Sequence, residues 1–379
     1  MVKLSVLKEF AQNEKRAALV PESIKKLTKL GVSVLVEEGT GLEAGFKPQD
    51  YIDAGAKITS NRDEVLGSNL ILGVRLDILD SKELDKLKKS ILVGFFNPFN
   101  NIKKIDLLAS KNFTSFSMEL IPRISRAQRM DALSAMSSAA GYKAVLLGAN
   151  SLNKFFPLMM TAAGTISPSK ILIIGAGVAG LQAIATAKRL GAQVKAFDTR
   201  PIVKEQVESL GAEFIELETT DDAETTGGYA EEMSDDFYKH EQEIIAKYLT
   251  DSDVVITTAQ IFGKKSPLLI TGPMVESMRS GSVIVDLAAE NGGNCSYTEL
   301  NKTVVKNGVI IHGFTDLPST LSYHASEMLS RNISALLFEI IKDGEIKLDL
   351  DDEIISSTLL THKGKIINQY VKKMIEKEK

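Results

Sequence analysis

Cysteine is nearly missing from these 379 residues. Cys295 stands alone, which excludes an internal disulfide framework and any cysteine-rich metal site and fits a reducing compartment. An excess of one charge is missing too: 45 lysines and arginines face 49 aspartates and glutamates. The resulting net charge of −4 offers no electrostatic footprint for nucleic acid. No apolar run is long enough to span a bilayer, because the longest is interrupted by glycines and closed by Lys188-Arg189. The opening Met1-Val2-Lys3-Leu4-Ser5-Val6 reads as a strand start soon followed by charges, so no signal peptide is expected. No HxxxH, CxxC or carboxylate cluster suggests a metal, and none is expected. Repeats and low-complexity linkers are lacking as well. What remains, 44% hydrophobic and 25% charged, is the composition of a soluble globular protein, too long for one ordinary core. Two domains are expected.

The densest signal is SPSKILIIGAGVAGLQAIATAKRLGAQVKAFDTR, residues 167 to 200. Ile171 to Ile174 reads as a buried parallel strand. Gly175 allows a tight turn off that strand, and Gly177 lets backbone approach a pyrophosphate on the positive end of the following helix. Gly180 lets helix and strand pack closely. A second strand ends at Asp198, 18 residues after Gly180, where a carboxylate can accept hydrogen bonds from both hydroxyls of an adenosine ribose. The same charge repels a 2′-phosphate, so NAD is expected in preference to NADP. A glycine turn without function is the alternative, and a lone GxGxxG would not exclude it; strand, glycines, helix, strand and acid in register go further.

Around this stretch the chain alternates short strands and helices, the pattern of an α/β protein. Strands are expected at Leu4–Val6, Val32–Val36, Asn69–Val74, Ile91–Phe95 and Phe113–Met118, with a helix from Glu22 to Leu30 after Pro21. A dense polar group, Arg123, Gln128, Asp131 and Ser134, follows Pro122 and opens a long helical pattern from about Met130 to Ser151. It reads either as a helix cap with solvated charges or as part of a ligand site at a domain crossover. Beyond the glycine unit come a helix at Pro201–Leu210, a strand at Glu213–Ile215, and an acidic segment at 217–236 holding Gly227-Gly228, Tyr229 and Met233. That segment reads as a mobile flap or as a plain surface loop. A helix from about Tyr238 leads to buried strands whose polar tips, at Gln260, Asp286 and His312, face the side where open α/β sheets bind ligands. A second long helical pattern, Leu321 to Ile341, is expected to carry the chain back into its first domain.

An acid or base near neutrality is most often histidine or lysine. Of the four histidines only His312 follows a strand tip, and a hydrogen-bonded structural role competes there. Cys295, after a glycine pair, is either a nucleophile or incidental.

Four segments carry a family resemblance: residues 160 to 201, TTGGYAEEMS at 225–234, GSVIVDLAAENGGN at 281–294 and GFTDLPS at 313–319. From Glu14-Lys15-Arg16 to the Asp349–Asp352 region, the chain resembles the NAD(H)-binding first domain of proton-translocating NAD(P) transhydrogenase. More narrowly, it is similar to the separate soluble alpha subunit found where that enzyme is split into three polypeptides. The resemblance implies an α/β fold of two Rossmann-like, doubly wound parallel-sheet domains, separated by a cleft and joined by long helices. The first would comprise residues 1–133 and 323–379, and the NAD(H)-binding domain 134–322. It implies a Re/Si-specific hydride transfer between NADH bound here and NADP+ on a partner subunit, with proton translocation left to membrane subunits because this chain stops at Lys379. The catalytic positions would be Arg123, Gln128, Asp131 and Ser134. Cofactor contacts would come from Gln128, Arg129, Met130 and Asp131, from Gly175, Gly177, Val178 and Gly180, from Asp198, Thr199 and Arg200, from Gly228 and Tyr229 on a mobile loop, and from Gln260. Partners would be the NADP(H)-binding and membrane-spanning subunits and a second copy of this chain, with no nucleic acid and no direct membrane insertion. The location implied is cytoplasmic, peripheral to the inner membrane. Alanine dehydrogenase has the same fold and uses a lysine and a histidine of its first domain; the matching segments here, Gly73–Asp77 and Val93–Asn97, hold neither. An amino-acid dehydrogenase and a non-catalytic NAD-sensing module remain the alternatives. Asn291, where the family commonly has glutamine, and Thr320–His324 depart from the family pattern.

Overall fold

The computed structural model describes residues 2–87, 90–217, 234–261 and 263–378. They form two units: residues 1–136 with 318–379, and residues 137–317. In chain order, the first stretch supplies β1 (Lys3–Val6), β2 (Ser33–Glu37), β3 (Lys57–Thr59), β4 (Leu70–Arg75), β5 (Ile91–Phe95) and β6 (Thr114–Ser117). The second unit supplies β7 (Met159–Thr161), β8 (Gly164–Ile166), β9 (Lys170–Ile174), β10 (Gln193–Phe197), β11 (Glu213–Ile215), β12 (Val254–Thr257), β13 (Val283–Asp286), β14 (Thr303–Lys306) and β15 (Val309–His312). The returning stretch adds β16 (Ile341–Lys342), β17 (Glu345–Ile346), β18 (Leu359–His362) and β19 (Lys365–Ile366).

The first unit is an eight-stranded sheet in the order β19-β18-β6-β5-β4-β1-β2-β3. Strands β1 to β6 pair in parallel, and β18 and β19 close one edge antiparallel. The apolar runs Leu70–Val74 and Leu92–Val93 are buried on both faces, as central parallel strands require. Pro21 starts the helix Pro21–Lys29, where its missing N–H costs nothing, and Lys26 and Lys29 sit in the last turn, favourable for the helix dipole. The helix Ser322–Ile340 carries the long C-terminal apolar pattern, and Leu329, Ile333, Leu336 and Ile340 join the core with Leu4, Val34 and Leu70.

The second unit is a seven-stranded sheet, β11-β10-β9-β12-β13-β15-β14, parallel except for β14. Both faces are covered. Ile171, Ile173 and Ile256 pack with Ala183, Ile184 and Ala187 on one side, and Leu172, Ile174 and Val255 with Ile245, Leu249 and Val275 on the other. A two-stranded hairpin, β7–β8, lies outside the sheet.

The elements differ from the expected ones mainly at their ends. The helix expected from Met130 starts at Ala132, after a 3-10 turn at Ser125–Met130, because Asp131 terminates one and caps the other. The helix expected at Pro201 begins as a 3-10 turn, Pro201–Val203, before Lys204–Ser209. The helix expected from Tyr238 begins at Asp235, with the Ser234 hydroxyl accepting from the Phe237 N–H.

Candidate functional site

The glycine turn joins β9 to the helix Val178–Arg189 through Gly175, Ala176 and Gly177 alone. Gly175 has φ +94, and a Cβ there would lie 2.5 Å from the Thr258 hydroxyl. A Cβ on Gly180 would lie 1.8 Å from the Gly175 carbonyl oxygen, so this glycine is demanded by helix–turn packing. Gly177 is different: a Cβ there would meet nothing within 4 Å. The protein leaves that space open. No side chain caps the helix that starts beside it, so the first-turn N–H groups face outward with the dipole's positive end behind them. Val178, 40% exposed, sits on the rim. This geometry fits the pyrophosphate of a dinucleotide.

Asp198 follows β10 and is buried, but its carboxylate is not vacant. Oδ2 accepts from the Ala176 N–H at 2.7 Å and from Arg200 Nη2 at 3.1 Å. Oδ1 accepts from the Arg200 backbone N–H at 2.9 Å and from Nε at 3.0 Å. Four donors fill the roughly four lone-pair directions of a carboxylate. For Asp198 to accept ribose hydroxyls, the Arg200 guanidinium has to yield its share. Thr199 is half-buried between them.

Next to this pair sits a group that sequence reasoning passed over. Glu241 is 4% exposed on the helix Asp235–Leu249. Burial pushes its carboxyl up to about 8, and the charge of Asp198 adds to the rise. The signal was available: Glu241 stands four residues from both Phe237 and Ile245, on the buried stripe of its helix.

At the neighbouring tips, Gln260 is exposed after β12, and its amide donates to the Leu287 carbonyl at 2.9 Å. Asp286 ends β13 fully buried. His312 has a structural place, with Nε2 2.9 Å from the Ser151 hydroxyl, Nδ1 2.9 Å from that of Thr303, and its ring stacked on Phe314. Burial lowers its pKa. Burial pushes the Cys295 thiol up to about 11, which removes it as a thiolate nucleophile.

The polar crossover belongs to the first unit. Asp131 and Ser134 form a helix cap: Asp131 Oδ1 accepts from the Ser134 N–H at 2.8 Å and Oδ2 from its hydroxyl at 2.6 Å. Met130 is fully buried in the core. Arg129 reaches Glu339 at 3.3 Å, and its carbonyl accepts from Asn332 at 2.9 Å. Arg123 and Gln128 are exposed. Gly228 and Tyr229 lie outside the described residues. Gly175, Gly177, Val178, Gly180, Asp198, Thr199 and Arg200 thus come together at one turn with Gln260 on an adjacent tip, and the crossover residues form a separate group.

Fold and glycine turn together define a dinucleotide-binding α/β protein. Two family models match, the N-terminal domain of alanine dehydrogenase/PNT over residues 5–140 and its C-terminal domain over 144–369. The chain is 44% identical to an NAD(P) transhydrogenase alpha-subunit polypeptide of Rickettsia prowazekii, over 99% of this chain and 98% of that one. The solved structure of transhydrogenase from Sinorhizobium meliloti superposes with a TM-score of 0.85 at 37% identity, covering 97% of this chain and 99% of that one. An L-alanine dehydrogenase structure, at TM-score 0.83, 23% identity and 99% coverage of both chains, shares the fold. The chain belongs to the alanine dehydrogenase/PNT family, among the transhydrogenase alpha subunits.

Proposed function

We propose that this chain is the NAD(H)-binding subunit of a proton-translocating NAD(P) transhydrogenase. The observation that carries the reading is the open space at Gly177 beside an uncapped helix N-terminus, with Asp198 bonded to the same turn. The N–H groups of the helix's uncapped first turn hold the pyrophosphate, Val178 covers the adenosine half, and Asp198 with Thr199 and Arg200 holds its ribose. Gln260 contacts the cofactor from the tip of β12. Arg123, Gln128, Arg129, Met130 and Asp131, with Ser134 bracing the cap, serve the nicotinamide end. Bound NADH supplies a hydride, which passes with its electron pair to the nicotinamide ring of NADP+ on a partner subunit, leaving NAD+ and NADPH. Because the transfer is direct, positioning replaces an acid or base.

Arg16 is tied to Glu14 at 2.6 Å and Arg75 to Asp77 at 2.7 Å, which supports this reading over an amino-acid dehydrogenase that would need such cations for a substrate carboxylate. Among the described residues no helix is long and apolar enough to cross a membrane. In this reading the chain works at the cytoplasmic face of the inner membrane, and proton translocation belongs to membrane-spanning partner subunits. The hairpin β7–β8 supports a homodimer: Met160 is 77% exposed and Ile166 43%. A groove of about 550 Å³ between Phe155–Pro157 and Arg189–Gly191 opens near its base, at the far end of the helix from the glycine turn.

Titration should find tight NADH binding and weak NADPH binding. Asp198→Ala should weaken NADH by about 1–3 kcal/mol, the range for hydrogen bonds to a charged acceptor. In stopped flow with the NADP(H)-binding partner, Gln128→Asn should keep NADH affinity but slow hydride transfer at least about tenfold, since small displacements at a reacting centre are costly. Normal transfer in that variant would remove Gln128 from the site. Turnover of pyruvate with ammonia would instead favour the dehydrogenase, and binding without transfer a sensing module.

A further inference from the structure

The motif GSVIVDLAAENGGN contains one buried carboxylate on which an unusual number of bonds converge. Asp286 Oδ1 accepts from the Thr257 hydroxyl and the Ala288 N–H, both at 2.9 Å. Oδ2 accepts from the Asn294 N–H at 2.7 Å, the Cys295 N–H at 3.2 Å and the Thr298 hydroxyl at 2.6 Å. The chain can fold back over this carboxylate because Gly293 has φ +79, and a Cβ there would lie 2.8 Å from Asp286 Oδ2. Asn294, also fully buried, passes the constraint on. Its Oδ1 accepts from the Ala259 N–H at 3.1 Å, and its Nδ2 donates to the Ala259 carbonyl at 2.9 Å and to the Pro267 carbonyl at 2.8 Å. Ala259 is thereby held at both its N–H and its C=O, one residue before Gln260.

A carboxylate that only stabilised the fold would need to hold its own loop. This one also fixes, through Asn294, the backbone of the next strand's tip. The tip of β12 lies on the opposite side of β9 from the tip of β10, where Asp198 marks the adenosine ribose, and so on the nicotinamide side. We propose that Asp286 and Asn294 are positioning residues that set Ala259-Gln260 in register for the dinucleotide, so that they govern affinity for the nicotinamide half and leave the adenosine half untouched. The inference rests on the reading that Gln260 contacts the cofactor. Asp286 accepts every bond it makes, so Asp286→Asn places an NH2 against donors; Asn294→Ala releases Ala259 while leaving Asp286 in place.

The test uses the full chain and two probes, NADH and 5′-AMP, with thermal unfolding in parallel. Each variant should lose about tenfold or more in NADH affinity, as expected for a loosened supporting shell, with 5′-AMP affinity within about twofold of wild type. Gln260→Ala should show the same split. Equal losses for both probes, or unchanged NADH affinity in a folded Asn294→Ala, would overturn the inference while leaving the cofactor reading intact. Wild-type protein that does not bind NADH would overturn both. If Asp286→Asn does not fold, Asn294→Ala decides alone.

Discussion

Glu37 and Asp198 hold matching places in two sheets. Each stands at the end of the strand beside its sheet's first strand, β2 next to β1 and β10 next to β9. Each accepts from a backbone N–H just after that first strand, Glu37 from Lys8 at 2.8 Å and Asp198 from Ala176 at 2.7 Å. Each is paired with an arginine, Arg62 at 2.5 Å and Arg200 at 3.0 Å. The strand orders agree as well, β3-β2-β1-β4-β5 against β11-β10-β9-β12-β13. What differs is the link to the first helix. In the second unit it is the three residues 175–177; in the first it is residues 7–20, ending at Pro21, which has no N–H. Along the longer link the Lys15, Ala17 and Val20 N–H groups are taken by the hydroxyls of Ser319, Ser326 and Ser330. Strand order alone provides a crevice; a phosphate cradle also needs a link short enough to bring an uncapped helix start to it, as the three residues before Val178 do.

The same comparison runs through the strand tips. In the first unit Glu9 accepts from the Val74 and Arg75 N–H groups, and Glu119 from those of Phe96 and Asn97. Burial pushes both carboxyls from 4.5 up to about 7, against the pull of those hydrogen bonds. A folded-state value above the unfolded one means the stabilising contribution is complete below the unfolded value and is lost as pH rises through the folded one. Each rise is equivalent to about 3 kcal/mol. The stability of the first unit should therefore fall between about pH 4.5 and pH 7, and Glu9→Gln and Glu119→Gln should each flatten that slope. Denaturant titrations across this range check it, and a slope unchanged in both variants would refute it.

Gly180→Ala should cost the second unit about 1–3 kcal/mol, as overpacking does, because its Cβ would run into the backbone carbonyl of Gly175, which cannot swing aside as a flexible side chain could. Hydrogen exchange should accelerate in β9 and the helix 178–189 while β1 and β4 keep wild-type rates. Unchanged exchange at β9 would mean that the turn tolerates the methyl group.

Gly177→Ala sharpens the comparison with the smallest change. Its backbone, φ −74 and ψ −167, suits alanine, and the Cβ enters open space. Stability should stay within about 0.5 kcal/mol. NADH affinity should fall about tenfold, because the methyl group keeps the pyrophosphate off the backbone. Unaltered affinity would move the phosphate site away from this turn.

Much of this was legible in the chain itself. Ile171–Ile174, the three glycines and Asp198 announce strand, turn, helix and acid because each depends on neighbours within one turn or one pleat. A cap at Asp131 and Ser134 is one of the two readings of that polar group for the same reason. A further local signal, Asn307-Gly308, passed unread: both residues take positive φ, +48 and +76, and join the antiparallel pair β14–β15. Asp343-Gly344 and Lys363-Gly364 do the same for β16–β17 and β18–β19. Only the tertiary structure decided what reaches those local features from afar. The serines that spend the first unit's amides lie about three hundred positions along the chain from them. Glu241 acquires its raised pKa by being buried near Asp198, and Met130 is buried in the core of the first unit. Backbone chirality and side-chain period are written residue by residue; burial and hydrogen-bond saturation belong to whatever the folded chain brings alongside.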